Sequence, residues 1–220
     1  ARLFDAGALF PPDTVTTTGG GPFRVFTPFW RRCMASPAPE APRPAPGRIR
    51  SPGPPPPSWP LPELRLRPSV SWDAGICAAW SAGEKAGRDR LSGFLDNAMT
   101  AYPGDRDRPD RDGTSRLSPY LHFGAVSPRQ AWHAVQSRAA ADSAPGAVRG
   151  AEAFLRQLVW REFAHHLLFH FPATVHAPMR EEFTAFPWRD DPAALVAWQK
   201  GRTGYPLVDA GMRQLWKTGW

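Results

Sequence analysis

The sequence predicts a mainly α-helical protein. An all-α domain over residues 69–220 is joined by a proline-rich linker, 36–68, to a short segment of α/β character, 1–35. Three observations predict this. Apolar residues within 154–171 recur at helical spacing, helix start and stop signals punctuate residues 81–218, and proline dominates the linker, including an unbroken run at 54–57.

Taken in order, residues 1–10 form a short apolar piece that Pro11 and Pro12 terminate. Residues 14–18 have strand propensity, Gly19-Gly20-Gly21-Pro22 makes a turn, and 23–26 alternates as a second strand would. This segment reads as packing, with no catalytic group. In the linker, proline fixes φ and removes donors, so an extended, semi-rigid spacer is expected rather than a packed element.

Six helices are expected beyond it. Ser81 and Glu84 have capping-box spacing and open a helix to about Thr100, with Leu91, Phe94, Leu95 and Met99 facing inward. The Asp- and Arg-dense stretch 104–113 is a solvated loop. Ser118 caps a helix that starts with Pro119 and stops at Gly124; Ser127 and Gln130 open another to Ala141. Asp191-Pro192 starts a helix that Gly201 ends, and Pro206 starts the last, toward Lys217. Before Pro119, Thr114-Ser115-Arg116-Leu117-Ser118 supplies hydroxyls and a guanidinium. Capping uses one hydroxyl, so the surplus points to a phosphate site.

The remaining helix, 154–171, organises the domain. Leu155, Val159, Phe163, Leu167 and Phe171 form one apolar row and Trp160, Ala164 and Leu168 another, which predicts burial on more than one face. Yet it carries Gln157, Arg161 and Glu162. Buried charges cost several kcal/mol (roughly 3–5) when left unpaired, so these side chains form a structural pair or line an internal pocket. The hydroxyl-rich stretch and the composition favour the pocket.

Lys and Arg total 27 against 20 Asp and Glu, the formal charge is +7, and ten Trp are present. A basic, Trp-rich chain suits a polyanionic partner with stacking surfaces. Only Cys33 and Cys77 occur, without metal spacing, which fits a reducing, cytoplasmic setting. No apolar run is long enough for a membrane span, and a soluble protein is expected. His166 and His170 are four apart on a helix, but no third ligand accompanies them, so they read as packed histidines and no metal is expected. No Ser–His–Asp order, Cys–His pair or glycine-rich phosphate loop supports hydrolysis. A nucleotide-like cofactor with a nucleic-acid partner is the reading that remains.

The segments PFRVFTPFWR (22–31), GEKAGRDRLSGFL (83–95), GTSRLSPYLHFGAVSPRQ (113–130), FLRQLVWREFAHHLL (154–168) and AWQKGRTGYPLVDAGMRQLWKTGW (197–220) resemble, in this order, the photolyase/cryptochrome family, and bacterial class I DNA photolyases in particular. The resemblance implies that 1–35 is the end of an α/β antenna domain and 69–220 the first part of a helical FAD-binding domain. It implies FAD contacts at Tyr102, Thr114, Ser115, Arg116, Leu117, Ser118, Phe154 and Arg161. It implies DNA contacts at Arg106, Gln157 and Trp160, with Trp160 stacking on a flipped pyrimidine dimer. Trp188 would be the outermost member of an electron-transfer chain. The activity implied is light-driven splitting of cyclobutane pyrimidine dimers in DNA by a monomeric, cytoplasmic carbon–carbon lyase; the alternative is a cryptochrome-like blue-light sensor without repair. Gln157 departs from the Glu usual in dimer-splitting members, and Phe154 stands where some carry Trp. Both ends of the chain read as cuts. The resemblance therefore implies a fragment that retains FAD weakly and is inactive alone, with an antenna chromophore of folate or deazaflavin type belonging to the full-length parent.

Overall fold

The computed structural model describes residues 7–49, 53–54 and 56–220. Among these the regular elements are helical. In chain order they are α1 (Phe26–Ala35), α2 (Ala74–Ala79), α3 (Glu84–Asn97), α4 (Tyr102–Asp105), α5 (Ser118–His122), α6 (Pro128–Ala141), α7 (Ala147–His170), α8 (Pro192–Gln199) and α9 (Pro206–Thr218). Single 3₁₀ turns occur at Leu61–Leu64, Pro172–Val175 and Glu181–Ala185.

The start signals act as the sequence predicts in α6, where Ser127 and Gln130 make a reciprocal capping box, and in α8, where the Asp191 carboxylate accepts the Ala194 N–H at 2.9 Å. Elsewhere they are corrected. Gly83, at φ 96°, caps α3 without a side-chain bond, and Ser118 lies inside α5 behind Leu117. No strand forms among residues 7–26: turns occupy 12–14 and 18–20, and Phe26 opens α1 instead of closing a strand. The reason is the 3–4 spacing of Phe26, Phe29 and Cys33, which gives one apolar helix face that is buried in full. The linker contains a 3₁₀ turn, and its first residues are held rather than free. His133 on α6 lies 2.9 Å from the Pro39 carbonyl, and Arg129 pairs with Glu40 at 3.3 Å.

The chain forms two compact units. The first takes residues up to Arg43 together with Ala82–Phe186; the second takes Pro44–Ser81 with Pro187–Trp220. In the first, α7 packs against α1, α4 and α6. Gly150 lets the α7 backbone lie directly on Met99, whose carbonyl oxygen would be 2.0 Å from any added Cβ. Phe29, Met99, Leu117, Val135 and Val159 are fully buried at the centre. The expected burial of α7 on more than one face is corrected: Trp160 is 44% exposed and Leu168 50%, so the second apolar row faces outward.

In the second unit, α2 and α9 meet where Gly75 faces the Lys217 carbonyl, and the Trp80 indole N–H donates to Thr218 O at 2.7 Å. The Asp209 carboxylate, buried at the start of α9, accepts the Thr203 N–H and hydroxyl at 2.7 Å each and the Gly204 N–H at 3.0 Å, tying down the loop before the helix.

Candidate functional site

Two adjoining hollows lie along α7 in the first unit, and the helix repeat explains both. Phe154, Leu158, Arg161 and His165 form one stripe, with steps of three or four residues. Arg149, Ala153, Arg156 and Trp160 form the neighbouring stripe. Gln157 lies between the stripes and lines both hollows.

The first hollow, about 740 Å³, is walled by α4, α5 and the loop before α5, which add Tyr102, Ser115, Leu117, Ser118 and His122. Beneath it the Phe94, Tyr102 and Phe154 rings pack together, with centroids 4.6 Å apart for Phe94–Phe154 and 5.6 Å for Tyr102–Phe154. Burial pushes the Tyr102 phenol above its usual range, against the opposing pull of the Arg106 guanidinium, so the ring stays neutral. Ser118, inside α5 rather than at its cap, lines the hollow and is exposed.

The second hollow, about 440 Å³, is cationic and aromatic, with Arg106, Arg149 and Arg156 around Trp160. Asp107 and Glu152 also line it, and Asp107 pairs with Arg106 at 3.4 Å. Trp160 is held flat by Phe26, with ring centroids 3.6 Å apart and planes 9° from parallel, and the Arg156 guanidinium lies 5.6 Å from the Phe26 centroid.

Between the hollows and the N-terminal segment stands the Arg161–Glu162 pair. Glu162 Oε2 accepts the Leu9 N–H at 2.7 Å, and Arg161 Nη1 donates to Glu162 Oε1 at 3.1 Å and to Gly7 O at 2.8 Å. Burial raises the Glu162 pKa, opposed by the Leu9 N–H and by Arg161. Glu162 is thus a structural anchor, while Arg161, its partner, also lines the first hollow. One turn on, fully buried His166 accepts the Phe23 N–H on Nε2 at 3.0 Å, and burial lowers its pKa.

Of the sequence-predicted positions, Tyr102, Ser115, Leu117, Ser118, Phe154 and Arg161 line the first hollow, and Arg106, Gln157 and Trp160 the second. Thr114 and Arg116 line neither. Arg116 has a left-handed backbone, φ 50°, and its Nε lies 3.1 Å from Asp112. Trp188 belongs to the other unit and is 79% exposed. His122, His165, Arg149 and Arg156 went unread. Arg149, Arg156 and His165 could have been found by stepping along the helix from Trp160 and Phe154. Among the described residues no group of three or more His, Cys, Asp or Glu side chains converges as a metal site would require, and no helix is long and apolar enough to cross a membrane.

Comparison with known proteins agrees with this geometry. Residues 154–220 match the family model described as the FAD binding domain of DNA photolyase, and residues 1–47 match that described as DNA photolyase. A deoxyribodipyrimidine photo-lyase of Agrobacterium fabrum is 41% identical over 99% of this chain and 45% of its own length. The chain belongs to the DNA photolyase/cryptochrome family. The same enzyme of Escherichia coli is 38% identical over 99% of this chain and 45% of its own, and cryptochrome-1 of Arabidopsis thaliana is 38% identical over 100% and 33%. The crystal structure of a class III photolyase from Agrobacterium tumefaciens superposes with a TM-score of 0.90 at 40% identity, covering 98% of this chain and 44% of that one. The chain thus spans about half the length or less of the family members it matches. Because one solved relative is a class III enzyme, the class I label stays with the resemblance alone.

Proposed function

We propose that this chain forms part of a light-driven, FAD-dependent DNA repair enzyme that splits cyclobutane pyrimidine dimers. The observation that carries this reading is the meeting of the two hollows at Gln157: one is hydroxyl- and aromatic-lined, the other holds three Arg around a half-exposed Trp.

The first hollow fits a flavin nucleotide. Ser115, Ser118 and Arg161 offer donors to phosphate and ribityl oxygens, and Tyr102 and Phe154 offer ring faces. When bound, the flavin supplies the light-driven electron that opens the dimer; the chain's own residues bind, orient and exclude water. In the second hollow Arg106 contacts DNA phosphate, Trp160 gives the flipped dimer a stacking face, and Gln157 hydrogen-bonds a pyrimidine edge from the wall shared with the flavin. Gln157 is always neutral, so it neither donates an acidic proton nor carries charge to the lesion. Thr114 and Arg116 complete the FAD contacts from the loop that carries Ser115 and Leu117. Trp188 passes electrons from the surface. The domain assignments follow: an antenna-domain end over 1–35, a linker over 36–68 and the beginning of the FAD domain over 69–220.

The test adds FAD to the purified chain and removes what is unbound. Weakly retained visible flavin absorption, diminished by Arg161→Ala and Ser118→Ala, is the expected result, and blue-light repair of a dimer-containing oligonucleotide is expected of the full-length protein rather than of this chain by itself. Flavin retained by the full-length protein without any repair would favour the blue-light sensor, a reading kept in view by the match to cryptochrome-1. No retained flavin would refute the pocket assignment.

A further inference from the structure

A site outside those hollows lies in the second unit. A groove of about 730 Å³, within the ~300–1,000 Å³ typical of small-ligand sites, runs between α9, the end of α8 and the start of α2. Its wall carries Lys200, Arg202, Arg213 and Lys217, and no carboxylate lines it. Among the described residues, Lys200, Arg202 and Lys217 form no ion pair with a carboxylate, and Arg213 interacts electrostatically with Asp209. Asp209 does not line the groove, and its carboxylate is hydrogen-bonded by Thr203 and Gly204. On the same groove stand two indoles, Trp72 at 71% exposure and Trp216 at 87%.

Each feature alone is ordinary; together they are selective. Unpaired cations repel one another and favour an anion of several charges. Exposed indoles leave apolar faces in water unless a flat partner covers them. The groove is also built rather than accidental. α2 and α9 approach so closely that a Cβ on Gly75 would lie 2.0 Å from the Lys217 carbonyl oxygen, and the Trp80–Thr218 bond fixes the same contact.

We infer that this groove binds a nucleotide unit, with phosphates held by Lys200, Arg202, Arg213 and Lys217 and a base stacked on Trp216 or Trp72. The unit comes either from a single-stranded nucleic acid or from a free nucleotide. The inference does not depend on the flavin pocket or on dimer repair, since it uses no residue of the first unit.

The test follows anisotropy of a fluorescein-labelled oligothymidylate of about eight nucleotides with the full chain at several salt concentrations, alongside competition by thymidine 5′-monophosphate. Binding is expected with a Kd on the order of 1–100 μM. Trp216→Ala weakens it about tenfold, one lost stacked base. The double variant Lys200→Ala with Lys217→Ala lowers the slope of log K against log salt by about 1.4. Lys85→Ala, an exposed lysine of the first unit paired with Asp89, leaves both unchanged. Competition by the mononucleotide at a concentration near the oligomer's Kd identifies a free nucleotide as the ligand; failure to compete identifies the strand. No binding, or binding indifferent to both variants, overturns the inference. Circular dichroism of each variant checks the fold, and Lys200, Trp216 and Lys217 are exposed in the groove.

Discussion

Glu162→Ala offers the sharpest check on how the first unit is held together. The carboxylate is 3% exposed and accepts the N–H of Leu9, itself 3% exposed, at 2.7 Å; the Phe10 N–H lies at 3.4 Å. Truncation strands the Leu9 donor without water, at about 1–3 kcal/mol, and the longer Phe10 bond adds little. Arg161 keeps Gly7 O and is one-quarter exposed, so losing its partner adds well under the ~3–5 kcal/mol of a fully buried broken pair. A total of about 2–4 kcal/mol is expected from urea unfolding. Glu162→Gln keeps an acceptor for Leu9 and loses less. The two variants also differ in pH response. Because the folded-state pKa of Glu162 is raised, the fold binds the proton more tightly than the unfolded chain does. Its contribution is fully present below the ordinary carboxylate value and is lost as pH rises through the raised one. Wild-type stability therefore carries a falling component above about pH 4.5 that the Gln variant lacks. An Ala variant as stable as wild type, or a Gln variant with the wild-type pH profile, would refute the reasoning.

Other outcomes follow from the same geometry. Trp160→Ala lowers affinity for dimer-containing DNA by about 1–3 kcal/mol in a gel-shift assay while leaving undamaged-duplex binding nearly unchanged; equal loss on both would sink the stacking role. Gln157→Ala reduces dimer affinity by about 1 kcal/mol, one neutral hydrogen bond, and Gln157→Glu, which adds a titratable carboxyl, makes that affinity pH-dependent. Burial depresses the His166 pKa, so its contribution is present above the ordinary histidine value and is lost as pH falls through the lowered one. His166→Gln, which still offers Phe23 an acceptor, flattens that acid-side loss in a pH series of unfolding curves. Asp209→Asn keeps one acceptor for the Thr203 and Gly204 donors but removes the charge, so the urea midpoint of the second unit falls; an unchanged midpoint would show that the loop before α9 stands without it.

Much of this was legible in the chain because local chemistry decided it. The α6 and α8 starts need only Ser127, Gln130 and Asp191 reading their own neighbours. The hollows were half legible, since the 3–4 repeat of α7 places Phe154, Gln157 and Arg161 together whatever surrounds them. What misled were features settled at long range. Strand propensity at 23–26 lost to the apolar face of α1, which has Trp160 and Phe163 to pack on. The role of Glu162 was hidden because its partner, Leu9, lies 153 residues away. Nearer by, the left-handed backbone of Arg116 and its approach to Asp112 are not signalled by the hydroxyls around it.

The anchoring bonds and the functional stripes belong to the same helix, and that has a consequence for how the site is stiffened. Glu162 and His166 fix the N-terminal segment on one face of α7; Phe26, carried by that segment, then holds Trp160 flat on another. A change at His166 therefore reaches Trp160 without touching either hollow, through Phe23 and α1. His166→Ala, which leaves the Phe23 N–H unpaired inside the core, should raise the mobility of the Trp160 ring before the unit unfolds. A Trp160-specific ¹⁹F signal that broadens in His166→Ala while the α7 amides stay protected from exchange would establish that coupling. An unchanged signal would mean that Phe26 and Trp160 hold each other without help from the histidine.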